Sequence, residues 1–182
     1  MLCALDSNPL PKTRFSGCPE GKEGDAMTRR QADETEDQRA LYDLVLRYAR
    51  AIDRRDYAAF GEIFAEDGSL AGYRGDPATT DSLFHYQGLA VIQERLPGIE
   101  RYERTFHLVG NALFDVAGDE ARGATYCTAH HIYRRADAPW NRTMAIRYQD
   151  RFVRRDGHWL LLERALWIDF ESDAPLGDEG WA

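Results

Sequence analysis

The chain has 182 residues, enough for one domain with a sizeable hydrophobic core and too few for two domains of ordinary size. Its formal net charge is -8, and its basic residues never run beyond an adjacent pair. Because a nucleic-acid surface needs concentrated positive charge, no nucleic-acid partner is expected.

The cysteines and the hydropathy pattern favour a cytoplasmic protein. Cys3, Cys18 and Cys127 share no metal-binding or redox spacing, and an odd count argues against a disulfide framework. The first residues lack a basic region followed by an apolar run, and no stretch approaches the roughly 20 apolar residues of a membrane span. A signal peptide and a membrane location are therefore not expected.

Both ends of the chain have the composition of flexible segments. Residues 1–36 combine proline, glycine and scattered charge without helical or strand periodicity, and Met27 is an alternative start. Residues 172–182 have the same character. The predicted organisation is a disordered N-terminal extension (1–36), one domain (37–171) and a flexible tail (172–182).

Three helices are predicted in the first half of the domain. An apolar stripe with helical spacing begins at Leu41 and ends near Arg54. A short second helix, capped by Asp56, is expected to stop at a turn at 67–68, and a strand at 69–73 and a loop at 74–81 follow it. The third helix is predicted over residues 88–96 and ends at Pro97.

Beyond residue 104 the apolar period changes from 3.6 to 2, which is typical of strands. Gly118-Asp119 and Asp156-Gly157 mark tight hairpin turns between the runs. Antiparallel strands of this length twist and curl, so the helices are expected to fill the concave face of the sheet. The predicted strands are 105–116, 121–135, 143–154 and 158–170.

Five short sequence words follow one another in a fixed order through the domain. They are YARAIDRRD (48–56), FAEDG (64–68), HLVGN (107–111), YQD (148–150) and RDGHWLLLER (155–164). Together with the element order, they resemble the SnoaL-like branch of the nuclear transport factor 2-like superfamily. The resemblance implies an α+β fold in which N-terminal helices pack on a strongly curved antiparallel sheet that encloses a pocket.

The resemblance also implies a candidate site. Enzymes of this family include scytalone dehydratase, a bile-acid dehydratase and a dehydrochlorinase, which eliminate small groups without metal or organic cofactor, whereas other members are cyclases, isomerases or proteins without known activity. The eliminating enzymes pair an aspartate at the end of the first helix with a histidine on the first long strand, and these positions match Asp53 and His107. Tyr48 matches a tyrosine of the bile-acid enzyme, and Arg164 matches an arginine near the end of the last strand.

The residues themselves support this assignment. Asp53 lies at the edge of the apolar stripe of the first helix, where a carboxylate needs a partner. By strand parity, His107 shares a face with Val109 and Asn111. A carboxylate on one imidazole nitrogen fixes the tautomer and leaves the other nitrogen free as a general base. The alternatives are a surface acid and an ordinary core histidine.

Four further residues are predicted to contact substrate: Tyr73, Asn111, His130 and Arg164. Tyr73 is a second candidate proton donor beside Tyr48, and Asn111 could bind a substrate oxygen or cap a backbone group. His130 and His131 face opposite sides of a strand, and His130 is predicted to be the one in the pocket. Arg164 needs a carboxylate from Asp150 or from the substrate, and a structural ion pair is the favoured role.

The leading hypothesis is a cofactor-independent lyase or isomerase that acts on a hydrophobic, oxygenated ring compound. His107, held by Asp53, would act as the base, and Tyr48 or Tyr73 would assist the oxygen; no metal site is predicted. The alternatives are a binding or assembly module without chemistry and the small subunit of a ring-hydroxylating dioxygenase. A homodimer or homotrimer is expected by analogy, with the outer face of the sheet as the interface.

Overall fold

The computed structural model describes residues 23–177, with side chains from residue 31 onward. The chain divides into two units, residues 1–33 and 34–182. The structure describes the helical backbone of the first unit from residue 23, and the second unit holds the sheet and the core. The elements are helix α1 (Glu23–Arg54), a first 3₁₀ helix (Ala58–Glu62), strands β1 (Phe64–Arg74) and β2 (Ser82–Gln87), helix α2 (Leu89–Arg95), a second 3₁₀ helix (Leu96–Arg101), and strands β3 (Arg104–Ala117), β4 (Glu120–Arg135), β5 (Ala138–Arg155) and β6 (His158–Pro175).

The sheet has six strands in the order β2-β1-β6-β5-β4-β3. The predicted antiparallel meander is confirmed as β3 to β6, with hairpins at both predicted turns. β1 joins β6 in parallel and β2 pairs antiparallel with β1, so the complete sheet is mixed. The predicted α+β class is confirmed.

Helix α1 supplies one side of the core, as its apolar stripe predicted. Leu41, Leu44, Val45, Tyr48 and Ile52 are all buried. These side chains occupy the i, i+3, i+4, i+7 positions that face one side of a helix. The inner face of the sheet packs against them, and Ile146, Phe152 and Leu161 belong to the same cluster.

The helix begins at Glu23, inside the segment that composition assigned to a disordered extension. Residues 31–36 carry no apolar stripe and are almost all exposed, but alanine, glutamate, glutamine and arginine are good helix formers. Asp37 then ties α1 to the sheet, because its carboxylate accepts hydrogen bonds from Trp159 Nε1 (2.9 Å) and Arg154 Nη2 (2.7 Å). Residues 1–22 lie outside the described residues.

The second predicted helix is a single 3₁₀ turn, in which the Asp56 carboxylate accepts a hydrogen bond from the Ala59 amide as expected of a cap. The turn predicted at Asp67-Gly68 is wrong, because both residues lie within β1, where the pairing register with β6 shifts. β2 was not predicted, and α2 matches the third predicted helix.

At the other end, β6 runs on to Pro175, which places residues 172–175 of the expected flexible tail in the sheet. Its last residues pair with the beginning of β5, where Arg142 donates to Asp173. Residues 178–182 of the expected tail lie outside the described residues. Among the helices that the structure describes, none combines the length and the apolar character needed to cross a membrane.

Candidate functional site

Asp53 and His107 are joined by two hydrogen bonds. The Asp53 Oδ1 atom lies 2.7 Å from the His107 ring nitrogen Nδ1, and Oδ2 accepts the His107 backbone N–H at 2.9 Å. The carboxylate therefore fixes both the backbone of β3 and the orientation of the imidazole. The two side chains retain exposed fractions of 22% and 7%, respectively, so the pair lies at the border between the core and solvent.

The electrostatics of the pair favour an ionised carboxylate. Burial alone would raise the pKa of Asp53, but hydrogen bonds and charge from His107, with a smaller contribution from the Thr105 hydroxyl, lower it below its usual value. An ionised Asp53 accepts the Nδ1–H of His107, so the tautomer that fits this contact carries its proton on Nδ1 and has Nε2 as the acceptor.

The His131 ring packs beside the His107 ring, and sequence parity did not select it. Its ring centroid lies 5.5 Å from that of His107 and 4.4 Å from that of Tyr102. The side chain is 7% exposed, and neither ring nitrogen has a hydrogen-bond partner among the described residues. Burial, followed by the neighbouring His107, lowers the pKa of His131 to about 3, so this ring stays neutral.

The prediction that His130 faces the interior is wrong. β4 buries a series of small residues on its inner face, and His131 follows them on that face. His130 lies on the opposite face, where its Nδ1 is 3.0 Å from Asn141 Nδ2 and 3.3 Å from Thr143 Oγ1. Tyr126, on the same outward face, is about half exposed.

The prediction that Asn111 shares the face of His107 is also wrong. The β3–β4 register shifts between Val109 and Ala112, which marks a bulge in β3. A bulge adds one residue to one strand and reverses the inside and outside positions beyond it. Asn111 is therefore exposed and lines an outer groove of about 490 Å³, and Leu113 is 79% exposed.

Tyr48 and Arg164 are brought together in the core. The Arg164 guanidinium lies between two aromatic rings, 4.1 Å from the Tyr48 centroid and 4.3 Å from the Tyr148 centroid. Its Nε and Nη2 donate to the two oxygens of Asp150 at 2.9 and 2.7 Å, so Asp150 is the carboxylate partner. A second bulge, at Leu162 in β6, places Leu161 on the same face of the strand as Arg164.

This arrangement limits what Tyr48 can do. The side chain is 3% exposed, and burial raises its pKa to about 12. Within residues 31–177, no hydrogen bond or ring contact joins Tyr48 to Asp53 or His107. The structure therefore separates the predicted residues into a pair at the end of α1 and an aromatic and ionic cluster deeper in the core.

Tyr73 lies apart from the Asp53–His107 pair but shares a cavity wall with Asp150 and Arg164. It lines an open cavity of about 830 Å³ together with His85, Arg122 and Trp167. Four cavities of about 350 to 830 Å³ are described, and none of these four has Asp53, His107 or Tyr48 in its wall. In the part of the chain that the structure describes, no three His, Cys, Asp or Glu side chains are grouped as a metal ion requires.

Two contributors to the site were missed by the sequence analysis, and they were detectable to different degrees. His131 was one of two adjacent histidines, and the choice between them needed the inner face of β4, which the run of small residues indicates. Arg55 carries no helical or strand signal, although it donates hydrogen bonds to Thr105 Oγ1 and to the Tyr102 carbonyl beside the pair.

Several solved structures share this fold at low sequence identity. A candidate scytalone dehydratase from Novosphingobium aromaticivorans is 22% identical, with a TM-score of 0.67 over 84% of this chain and 99% of the other. Hexachlorocyclohexane dehydrochlorinase LinA-type3 from Novosphingobium barchaimii is 16% identical, with a TM-score of 0.68 over 84% and 98%. The beta subunit of a candidate aromatic-ring-hydroxylating dioxygenase from N. aromaticivorans is 19% identical, with a TM-score of 0.64 over 75% and 92%.

No curated protein sequence matches the chain. The family model of the SnoaL-like domain, however, matches residues 33–165, which include all of β1 to β5 and most of α1 within the second unit. This match covers well over half of the chain. The protein therefore belongs to the SnoaL-like domain family.

Proposed function

We propose that this protein is a cofactor-independent lyase of the dehydratase type, or an isomerase, that acts on a hydrophobic, oxygenated ring compound. The observation that carries the proposal is the two-point contact between Asp53 and His107. This contact engages the ring through Nδ1, so Nε2 is the nitrogen of the imidazole that can accept a proton from carbon.

In the proposed elimination, His107 Nε2 takes a proton from the carbon next to a carbonyl group. The electrons of the C–H bond form the new double bond, and the bond to the leaving oxygen breaks. Asp53 stabilises the imidazolium that forms, and His107 Nε2 then gives its proton to the leaving oxygen, which departs as water and leaves the ring neutral again. In an isomerisation the same proton returns to a different carbon.

His131 is proposed to bind the oxygen that gains charge. Its unpartnered nitrogens lie beside His107, and a neutral imidazole has one N–H to donate. Tyr48 is left with a supporting role, because its hydroxyl is buried with a pKa of about 12 and its ring packs on Arg164. Tyr73, Asn111 and His130 are not part of this proposal's reaction centre.

A panel of cyclic β-hydroxy ketones tests the proposal, because loss of water gives a conjugated product with a new ultraviolet absorbance. We expect turnover by the wild-type protein and a loss of about 10²- to 10⁴-fold in kcat for His107→Ala. His158→Ala, at an exposed hairpin position, is the matched control and should retain full activity. Turnover that survives His107→Ala would exclude this mechanism.

A second candidate function is a small subunit or binding module without chemistry. It is favoured by the four described cavities, none of which reaches the Asp53–His107 pair, and by the likeness to a dioxygenase beta subunit. Co-expression with a large iron–sulfur oxygenase subunit encoded beside it tests this candidate. Stable co-purification, together with no turnover in the panel, would favour it over the lyase.

Self-association in the cytoplasm, as a dimer or trimer through the outer face of the sheet, completes the proposal. Phe106, Leu108, Leu113, Tyr126 and Phe170 are large apolar or aromatic residues that the described chain leaves between 49% and 79% exposed. All of them lie on β3, β4 or β6. Several exposed apolar side chains on neighbouring strands are typical of an interaction surface.

A further inference from the structure

Helix α1 is followed directly by Arg55, whose backbone conformation is one that glycine usually adopts. Arg55 has a φ of 58° in the left-handed region. The Asp56 amide donates to the Ala51 carbonyl at 2.9 Å and the Arg55 amide donates to the Ile52 carbonyl at 3.2 Å. These two bonds form a Schellman motif, in which glycine is preferred because it has no Cβ.

The guanidinium of Arg55 makes three hydrogen bonds that glycine could not make. Nη1 donates to the Ile52 carbonyl at 2.8 Å and to Thr105 Oγ1 at 2.7 Å, and Nη2 donates to the Tyr102 carbonyl at 3.0 Å. The side chain therefore joins the end of α1, the end of the second 3₁₀ helix and the beginning of β3. An arginine that accepts a strained backbone to make these contacts points to a specific task.

Each of these contacts connects Arg55 to a residue that lies next to the Asp53–His107 pair in sequence or in space. Thr105 is two residues before His107 on the same inward face of β3, and its hydroxyl contributes to the hydrogen bonding of Asp53. Tyr102 packs on His131, whose ring lies beside His107. Asp53 itself lies in the last turn of α1, where free carbonyls disfavour a carboxylate, and the guanidinium on the Ile52 carbonyl offsets that effect.

We infer that Arg55 is a positioning residue that holds α1 and β3 in register so that the Asp53 carboxylate meets the His107 ring. The catalytic meaning of this role rests on the proposed function, whereas the positioning itself can be observed without a substrate. The preceding residue, Arg54, carries the same charge but is exposed. A positive charge at this end of the helix is therefore not sufficient for the contacts that Arg55 makes.

The test uses the Nδ1–H proton of His107 in the nuclear magnetic resonance spectrum of the full chain, together with thermal unfolding. In Arg55→Gly the backbone strain is relieved, so the unfolding midpoint should stay within about 5 °C of the wild type. The His107 Nδ1–H should nevertheless exchange with water at least about tenfold faster, because a hydrogen bond that opens more often protects its proton less. Arg55→Lys should recover part of the protection.

Two control variants and one variant of the Arg55 partner make the result specific. Arg54→Gln removes a neighbouring charge, and Asp156→Gly relieves left-handed strain (φ 51°) at a distant hairpin, so both should leave the His107 signal unchanged. Thr105→Val keeps Arg55 but removes its hydroxyl partner, and it should also accelerate exchange. If Arg55→Gly fails to fold, Arg55→Lys decides the question, and its His107 proton should still exchange faster than in the wild type; Thr105→Val is not decisive alone, because the Thr105 hydroxyl also contributes to the hydrogen bonding of Asp53.

Unaltered protection of the His107 proton in the folded Arg55 variants would overturn the inference. Accelerated exchange with no turnover of any hydroxy ketone would uphold the positioning role and count against the lyase. Turnover that depends on His107 but is the same in Arg55→Gly, with the proton still protected, would uphold the lyase and reject the role of Arg55.

Discussion

Two hydrogen-bonded pairs of side chains, Arg164–Asp150 and Asp53–His107, differ in their exposure to solvent. The side chains of Arg164 and Asp150 are fully enclosed, whereas Asp53 and His107 each keep some exposure. A fully buried ion pair contributes little net stability over apolar residues of the same size, but loss of one partner leaves an uncompensated charge. The stability of the protein is therefore expected to be highly sensitive to single substitutions at Arg164 or Asp150.

Asp150→Asn is expected to reduce the free energy of unfolding by about 3–5 kcal/mol, because the Arg164 charge then lacks its carboxylate. The double variant Asp150→Leu/Arg164→Met should be less destabilised than Asp150→Asn. Urea denaturation measures both. Glu163→Gln breaks the exposed pair with Arg151 and should cost less than about 1 kcal/mol; equal costs at the two sites would contradict this account.

His131 should make the protein sensitive to mild acid. Its folded pKa of about 3 lies below the unfolded value of about 6.5, so the unfolded chain binds the proton more readily between these values. Stability is then complete above pH 6.5 and falls as the pH drops towards 3. Between pH 6.5 and pH 5 the loss should reach up to about 2 kcal/mol.

The measurement is urea denaturation of the wild type and His131→Phe at pH 7.5 and pH 5. The phenyl ring keeps the packing on Tyr102 and cannot be protonated, so the variant should lose less stability over this interval. His158→Phe, at an exposed position, should show the wild-type loss. Identical acid sensitivity in the wild type and His131→Phe would show that His131 is not the group responsible.

At the scale of the elements, the bulge in β3 decides which side chains enter the core. Before the bulge, Thr105, His107 and Val109 point inward, and beyond it the inward residues are Ala112, Phe114 and Val116. Without the extra residue, the two halves of β3 could not both present apolar residues to the core. The bulge is thus a requirement for a histidine at one end of the strand and a packed aromatic ring at the other.

Deletion of Gly110 should therefore abolish cooperative folding, because either His107 or Phe114 would be forced to the outer face. Circular dichroism during thermal unfolding detects the loss of the transition. Deletion of Ala78, in the exposed loop between β1 and β2, is the matched change and should be tolerated. A sharp transition in the Gly110 deletion would mean that β3 re-pairs without cost.

Prediction from the sequence succeeded for the elements and failed for the faces of some strands. Periodicity located α1, α2 and the four long strands, because a buried stripe on one face is visible residue by residue. It placed Asn111 on the wrong face, since the residue inserted at a bulge leaves no local signal. It chose His130 over His131 because alternation gives two faces without saying which is inside.

At the scale of the whole molecule, the outer face of the sheet should hold copies of the chain together. Leu113→Glu places a charge in the middle of the proposed interface and should lower the molecular mass measured by light scattering during size-exclusion chromatography. Because Leu113 is 79% exposed, the thermal midpoint of the separated chain should change little through lost core packing. Val91→Glu, on α2, should keep the wild-type mass; a monomeric wild type would refute the interface.

The parallel pairing of β1 with β6 has a consequence for how the chain folds. Ala71 lies beside Ala165, although most of the domain separates them in sequence, whereas β3 to β6 are joined by short hairpins. Contacts between distant segments require closure of a long loop, which slows folding. During synthesis β1 leaves the ribosome well before β6, so the edge of β1 that pairs with β6 stays unpaired until β6 has emerged. The C-terminal meander can assemble first, and the final strand then acts as the template on which the N-terminal half is completed.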